Sequence, residues 1–460
     1  MTTKLRLTAA DQAQLMKHLF PGDGLEAVSF ALCGRHHGKV TNILLCHEVH
    51  SIPYDQCTVR KPDLVTWKSD ALEPLLEKAA RKHMGLVKFH SHPTDIWQFS
   101  STDDRSDANL FPSIHGWVDD NQPHASVIVM PNGDLIGREV LQDGTFRPLE
   151  SILTVGDDIS LATSFAGAAG PAYAERHAQL FGSKTTALLG TLAIGVVGCS
   201  GTGGHVIEML SRLGVRRLVL VDPDRVEYRN LNRILGTTTR DAALRRLKVE
   251  VLAEHVARIG LGTEIASLPS AIGTRAAVQA LAPCDVIFGC VDSHDGRRTL
   301  SRLSRYYLIP YFDCGVSLSA DGGGGIDKVV AASHYFHPDG STPVERRVIN
   351  QDRANSESMA RLNPAEYAKL HAQGYLKGVD EDRPAVISVN ALAASLVVNE
   401  FLARIHPYRY ESNRQYASVR VDLTDLSLEK EPEQDPAISR LKHGRGDVEP
   451  LLEMSDLSPI

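Results

Sequence analysis

Apolar runs the length of a buried strand alternate with apolar residues at helical spacing along most of this chain. The pattern is densest from residue 193. Ile194, Val196 and Val197 read as a short buried strand, and Gly198, Gly201, Gly203 and Gly204 crowd the turn after it. Val206, Met209, Leu210 and Leu213 then recur at helical spacing, predicting a helix over about 205–213. Residues 218–221 read as a second buried strand ending at Asp222. Strand, glycine loop, helix, strand is a nucleotide-binding arrangement, because glycines let the backbone approach phosphate and helix N-terminal amides attract the anion. A carboxylate where Asp222 stands can hold ribose hydroxyls. A Rossmann crossover for a nicotinamide cofactor has the same outline.

Upstream, residues 1–20 predict a strand and then a helix, with Leu15, Leu19 and Phe20 toward a core. Residues 26–34 read as a buried strand opened by Glu26, an acid whose burial costs desolvation unless it is paired or useful. A hairpin turn at 35–38, a returning strand over 40–46, a helix over 71–83 and a strand over 85–89 follow. That last strand runs into His90, Ser91, His92 and Pro93. Residues two apart in extended backbone face one side, so His90 and His92 can grip one metal ion. Pro93 stops the strand, and the following loop can return Asp103, or its neighbour Asp104, as a third ligand. Two imidazoles and a carboxylate with an open fourth position form a catalytic zinc arrangement. A nearby carboxylate could then take a proton from water at the metal. Glu26 is the candidate, and Glu48 lies on another apolar strand. On its own an H-x-H pair is more often a satisfied polar pair. The histidines at 36, 37, 47, 50, 83, 115 and 124 read as surface or core polar groups.

A hairpin over 126–141 closes this first domain, which spans 1–150, and residues 151–172, rich in small side chains, read as a linker with some helix. A second domain spans 173–428. It opens with an amphipathic helix over 173–182 carrying Arg176 and includes a helix over 242–259 carrying Lys248. A third buried strand then ends at Asp292, and a polar, irregular stretch covers 334–384. A long helix over 384–402 is buried on most sides, and a last strand covers 419–423. Residues 429–460 are acidic, contain proline and read as a flexible tail.

With 460 residues, two domains are the default. The formal charge of −7 offers no long-range attraction to nucleic acid or to an anionic membrane. The seven cysteines form no C-x-x-C pair, which argues against a zinc ribbon and a disulfide framework and fits a reducing, cytoplasmic setting. The N-terminal stretch lacks the apolar core of a signal peptide, and the most apolar run, 187–197, is too short to span a bilayer.

The run from Asp222 and Asp224 through Asn230 to Arg233 satisfies every fixed place of the pattern D-x-D-x-V-x-x-x-N-L-x-R. This resembles the E1-like (ThiF/MoeB) adenylating enzymes, which include the activating enzymes of ubiquitin-like proteins. The resemblance implies that Gly198, Gly201, Gly203, Asp222, Asp224, Asn230, Arg233 and Lys248 bind ATP and that Asp292 holds magnesium near the α-phosphate. It also implies that Arg176 reaches the ATP of a partner subunit, so that the active form is a homodimer, and that 334–384 cradles the tail of a carrier protein. Two departures stand out. Leu247 replaces the proline expected before Lys248, and no cysteine lies beyond Cys314, which itself falls in a core strand. Adenylation without a conventional catalytic cysteine is the expectation.

His90, His92, Ser100 and Asp103, with Glu26 upstream, resemble the motif E…H-x-H-x(10)-D of the JAMM (JAB/MPN+) metalloproteases over about 1–150. The resemblance implies zinc on His90, His92 and Asp103, Glu26 as general base, and Ser100 polarising the tetrahedral intermediate. The expected architecture is α/β, a JAMM-type metalloprotease domain followed by a Rossmann-like E1/ThiF adenylation domain. Such fusions belong to bacterial ubiquitin-like systems. The expected partner is a ubiquitin-like or sulfur-carrier protein with a C-terminal glycine. A modifier of small peptides and a scaffold with one inactive site are the alternatives.

Overall fold

A computed structural model describes residues 1–94, 96–164, 171–321, 323–373, 384–435 and 443–457. In the first part of the chain the apolar runs become strands of one mixed sheet. β1 (Thr2–Thr8) leads directly into α1 (Ala9–Leu19), whose start is fixed by a reciprocal cap between Thr8 and Asp11. β2 (Val28–His37) and β3 (Thr41–Ser51) form a long antiparallel pair. A separate hairpin, β4 (Cys57–Lys61) and β5 (Leu64–Trp67), and α2 (Glu73–Lys82) lead to β6 (Gly85–Ser91), buried along its whole length. α3 (Ser101–Val118), β7 (His124–Val129), β8 (Leu135–Val140) and β9 (Phe146–Pro148) follow, then β10 (Ser151–Val155) and β11 (Ile159–Thr163). The sheet order is β11-β10-β1-β3-β2-β6-β7-β8-β9. Val28, Phe30, Leu32, Leu86, Phe111 and Ile114 build the core between this sheet and α2 and α3.

In the second part, α4 (Glu175–Leu189) is broken at Gly182, whose φ is 78°. β12 (Ala193–Val197), α5 (Gly201–Arg212) and β13 (Arg217–Val221) form the nucleotide-type crossover. α6 (Thr239–Ala243), α7 (Lys248–Ile259), β14 (Glu264–Leu268), α8 (Arg275–Leu281), β15 (Val286–Gly289) and α9 (His294–Tyr307) continue the α/β alternation. An antiparallel extension follows: β16 (Tyr311–Ala320), β17 (Ile326–Phe336), then α10 (Gln351–Leu362), α11 (Pro364–Ala372), α12 (Ile387–Ile405), β18 (Ser418–Asp422) and β19 (Ser427–Glu431). The order is β14-β13-β12-β15-β16-β17-β18-β19, with parallel pairing from β14 to β16. α12 is long and apolar enough to cross a membrane, yet most of it is buried, packed on α5, β16 and β17.

The chain divides into two compact units, and their limits differ from the expected domain boundaries. One unit takes Met1–Ala166, Tyr306–Leu308 and Arg440–Leu452; the other takes Gly167–Arg305, Ile309–Ser439 and Glu453–Ile460. The stretch expected to be a linker over 151–172 holds the hairpin β10–β11, and β10 pairs in parallel with β1. Residues 165–170 of that expected linker lie outside the described residues, as do 374–383 of the expected tail-cradling stretch. The expected flexible tail over 429–460 is also corrected. β19 extends the second sheet, Leu451 and Leu452 are fully buried in the first unit, and Asp456 pairs with Arg361 at 3.0 Å in the second. Residues 436–442 and 458–460 lie outside the described residues. The single helix expected over 242–259 is two, α6 and α7, parted where Arg245 takes φ 47°. Lys248 consequently heads α7 instead of sitting within a helix.

Candidate metal centre and nucleotide cleft

The first centre lies where β6 ends. His90 and His92 leave the strand on one face. β2 runs antiparallel beside it with Val28 opposite His90, and the Ser91 amide donates to the Ala27 carbonyl at 3.1 Å, so the register carries Glu26 to a place opposite His92. Opposed residues share a face, which puts the Glu26 carboxyl with the imidazoles. The third group comes from a helix, not from the loop expected to return it. Ser100 caps α3 in a reciprocal box. Its hydroxyl accepts from the Asp103 amide at 3.1 Å and donates to Asp103 Oδ2 at 2.7 Å, and the Ser100 amide donates to the same oxygen at 2.7 Å. Asp103 Oδ1 then lies 3.0 Å from His90 Nε2, and Oδ2 lies 3.4 Å from His92 Nε2.

The donor set suits a zinc ion. One ligand atom from each of His90, His92 and Asp103 lies within 4.8 Å of the others. His92 Nδ1 bonds the Ile96 carbonyl at 2.7 Å, which leaves its Nε2 lone pair for the centre. Both ring nitrogens of His90 are buried and make no well-aligned hydrogen bond, Nε2 having only the Asp103 carboxylate beside it, and a cation coordinated at Nε2 would satisfy that atom. Burial holds His90 below its ordinary pKa, favouring the neutral, ligating form. Burial pushes the Asp103 carboxyl up, but the two imidazoles and Ser100 hold it far below the usual carboxylate range. Glu26 behaves oppositely: burial pushes it up to about 8, and the Asp103 charge adds to the push. The alternatives left open by the sequence are engaged elsewhere. Glu48 accepts from Lys78 at 2.6 Å and bonds His50 at 3.2 Å, and Asp104 pairs with Arg138 at 2.5 Å.

The second centre lies at the carboxyl ends of β12 and β15, where the order of the parallel strands reverses and ligands of open α/β sheets bind. A cleft of about 830 Å³ opens there, lined by Gly198, Asp222, Asp224, Asn230, Arg233, Lys248 and Asp292 among others. Gly198 has φ 92°, and a Cβ there would meet the Cys290 carbonyl at 2.4 Å. Gly201 and Gly203 serve packing: a Cβ on Gly203 would lie 1.8 Å from the Gly198 carbonyl oxygen, and one on Gly201 would lie 2.2 Å from Asn390 Nδ2. Asp222 ties the loop to β13, its Oδ2 accepting from the Cys199 amide at 2.6 Å and its Oδ1 from the Asp224 amide at 2.8 Å. Asn230 Oδ1 accepts from the Glu227 amide at 3.0 Å and so shapes the turn that brings Arg233 to the cleft. Arg233 Nη1 donates to the Arg229 carbonyl at 2.6 Å. Arg176 is exposed on α4 and does not line this cleft.

Two residues escaped the sequence reading. Glu357 of α10 lines the cleft and accepts from the Asp295 amide at 2.8 Å at the head of α9; nothing in its polar surroundings marks it. Asn390 of α12 abuts Gly201, and its signal was a buried amide inside an apolar helix. Cys314 is buried, and its contact with Cys290 and burial push the thiol well above its ordinary pKa, a setting that disfavours a thiolate.

Comparisons with known proteins follow the same division. A family model described as "Prokaryotic homologs of the JAB domain" matches residues 8–134, and one described as "ThiF family" matches residues 173–437. Ubiquitin-like modifier-activating enzyme 5 of Drosophila willistoni is 29% identical over 143 residues, covering 28% of this chain and 34% of that protein. The Aedes aegypti protein of the same name is 28% identical over 142 residues, covering 28% and 35%. The chain thus spans about a third of the length of these curated relatives. Among solved structures, Escherichia coli MccB with ATP is similar at a TM-score of 0.44 and 15% identity, covering 58% of this chain and 74% of that one. The ThiF match takes in more than half of the chain, which therefore belongs to the ThiF family and carries a JAB-type domain ahead of its E1-like domain.

Proposed function

We propose that this protein is a bifunctional enzyme acting on one slender substrate, the C-terminal tail of a ubiquitin-like or sulfur-carrier protein. The first unit hydrolyses a peptide or isopeptide bond at that tail, and the second converts the terminal glycine carboxylate into an acyl-adenylate. The observation that carries the reading is the convergence of His90, His92 and Asp103 at one buried point, with Glu26 buried on the neighbouring strand opposite His92, in a chain whose other unit holds the polar-lined cleft at the switch point of its sheet.

A zinc ion held by His90, His92 and Asp103 would supply Lewis-acid chemistry to the scissile carbonyl and to water. Glu26, protonatable near neutral pH, takes the proton from the attacking water and passes it to the leaving amine. Ser100 holds Asp103 in place, and its hydroxyl is the donor available to the oxyanion when a substrate carbonyl competes for it. In the second unit, the glycine carboxylate attacks the α-phosphorus of ATP. The bond between that phosphorus and the bridging oxygen breaks, and pyrophosphate leaves with the electron pair. AMP makes a carboxylate a good acyl donor. The α5 N-terminus, Arg233 and Lys248, with Arg176 from a second copy in a homodimer, would neutralise charge on the phosphates, and Asp222 would hold the ribose hydroxyls. The Asp292 carboxylate at the cleft offers the oxygen ligand that magnesium prefers. Joining both activities in one chain raises the effective concentration of each for a shared tail. Seven free thiols support a reducing, cytoplasmic setting.

The test is ATP–pyrophosphate exchange with and without a glycine-ended carrier, together with zinc content and cleavage of a carrier fusion. Carrier-dependent exchange and zinc-dependent cleavage are expected. Failure of exchange with the genuine carrier removes the second activity, and cleavage that survives complete zinc removal removes the first.

A further inference from the structure

A buried ionic cluster beside the metal centre has no part in the chemistry proposed above. Asp107 is fully buried on α3, one turn past Asp103. Lys88 is buried on β6, two residues before His90 and on the same face. The Lys88 ammonium lies 2.5 Å from Asp107 Oδ1. Two residues of strand advance ~6.7 Å, and four residues of helix advance ~6 Å. The Lys88–Asp107 pair therefore repeats the His90–Asp103 pair one step along both elements, as a second rung.

Arg138 of β8 completes the cluster. Its Nη2 and Nε donate to Asp107 Oδ2 at 2.7 and 3.2 Å, and its Nη1 donates to Asp104 Oδ1 at 2.5 Å. Its guanidinium carbon stands 3.7 Å from the ring centres of both Phe99 and Phe146. Phe99 precedes the helix cap Ser100, and its ring lies 6.1 Å from that of His90. One guanidinium thus holds the chain on both sides of Asp103.

Stability does not account for such a cluster. Desolvation cancels much of what a buried ion pair gains, and well-packed apolar replacements are often neutral or stabilising. Burial pushes the Asp107 carboxyl up, but Lys88 and Arg138 hold it below the usual carboxylate range. What charged, directional bonds add over apolar packing is a defined distance and angle between β6 and α3.

We propose that Arg138, with Lys88 and Asp107, is a positioning device that fixes the spacing of β6 and α3 and thereby holds His90, His92 and Asp103 at the spread a zinc ion requires. This rests on the metal reading of that centre. The test measures zinc affinity of the full chain by competition with a chromophoric chelator, and the visible spectrum of the cobalt-loaded protein. Arg138→Met is expected to weaken zinc binding by roughly ten-fold or more and to alter the cobalt bands, as losing support behind metal ligands commonly does. Arg138→Lys, which restores charge without the fork, is expected to recover only part. The triple variant Lys88→Met, Asp107→Leu, Arg138→Met removes the charges together, and is expected to melt as cooperatively as the parent while binding zinc as weakly as Arg138→Met. Parental zinc affinity in the triple variant would overturn the inference. Failure of the unsubstituted protein to bind zinc would instead overturn the metal reading beneath it.

Discussion

Lys248 and Asp224 meet twice, the Lys248 amide donating to the Asp224 carbonyl at 3.0 Å and its ammonium to Asp224 Oδ2 at 2.7 Å. The pair joins the loop after β13 to the head of α7, and both residues line the cleft. The Asp224 side chain is largely exposed, so losing its partner costs little stability, about 0–1 kcal/mol. Lys248→Met is therefore expected to lower ATP–pyrophosphate exchange by roughly a hundred-fold, equivalent to about 2.7 kcal/mol of the barrier. Its melting temperature should stay close to the parent. Exchange at the parental rate would remove Lys248 from the proposed phosphate contacts.

Gly203 offers a sharper structural probe. A methyl group there would sit 1.8 Å from the Gly198 carbonyl oxygen, so either α5 or the glycine loop has to move. Gly203→Ala is expected to cost about 1–3 kcal/mol, as overpacking does, and to weaken ATP binding as well. Urea unfolding and nucleotide titration read the two effects, and an alanine variant with parental values in both would show that the loop tolerates the shift.

Glu26 and His92 share a face and are proposed for different tasks. Glu26→Gln keeps the shape and should retain one bound zinc while cleavage of a carrier fusion falls by about 10²–10⁴-fold, the range of general-base contributions. His92→Ala should lose zinc and cleavage together. Metal analysis beside the cleavage assay separates them; parental cleavage by Glu26→Gln would dismiss it as the base.

His124 is predicted to make the first unit acid-sensitive. It is fully buried, and the Leu86 amide donates to its Nδ1 at 3.0 Å, so protonating that nitrogen breaks the bond. Burial, then the Arg35 guanidinium, holds its pKa well below the ordinary 6.5. The unfolded chain therefore takes up a proton near pH 6.5 that the folded chain refuses. Stability from this group is present above that pH and is lost as pH falls below it, by up to about 1.4 kcal/mol per pH unit. His124→Asn keeps an acceptor for Leu86 and should flatten the pH dependence of the unfolding midpoint between pH 6.5 and 5. An unchanged slope would assign the acid sensitivity elsewhere.

The sequence announced what is local. Period-two spacing of His90 and His92 at the end of a buried run, and glycines between a strand and a helical repeat, each set a local geometry that needs no distant partner. Asp103 was expected from a loop, although Ser100 and Asp103 three residues apart form a helix-start signature that gives its true placement. Other features were out of reach because they depend on distant partners. β10 becomes a strand by pairing on β1, far earlier in sequence, and β11 by folding back on β10. No glycine or proline marks the break between α6 and α7; the Val226 amide on the Arg246 carbonyl and Lys248 on Asp224 make it.

The late segment of the first unit bears on how the protein is made. Gly34 donates to the Gly444 carbonyl at 3.1 Å, Asp447 donates to the Arg35 carbonyl at 2.9 Å, and Leu451 and Leu452 fill the interior. β2, the strand that follows Glu26, therefore has its cover supplied by residues translated more than four hundred positions later. During synthesis the first unit therefore stays incomplete until these late residues have been delivered. A product truncated before Gly444 then lacks this cover of β2, so the first unit is completed only in a chain that already carries the second.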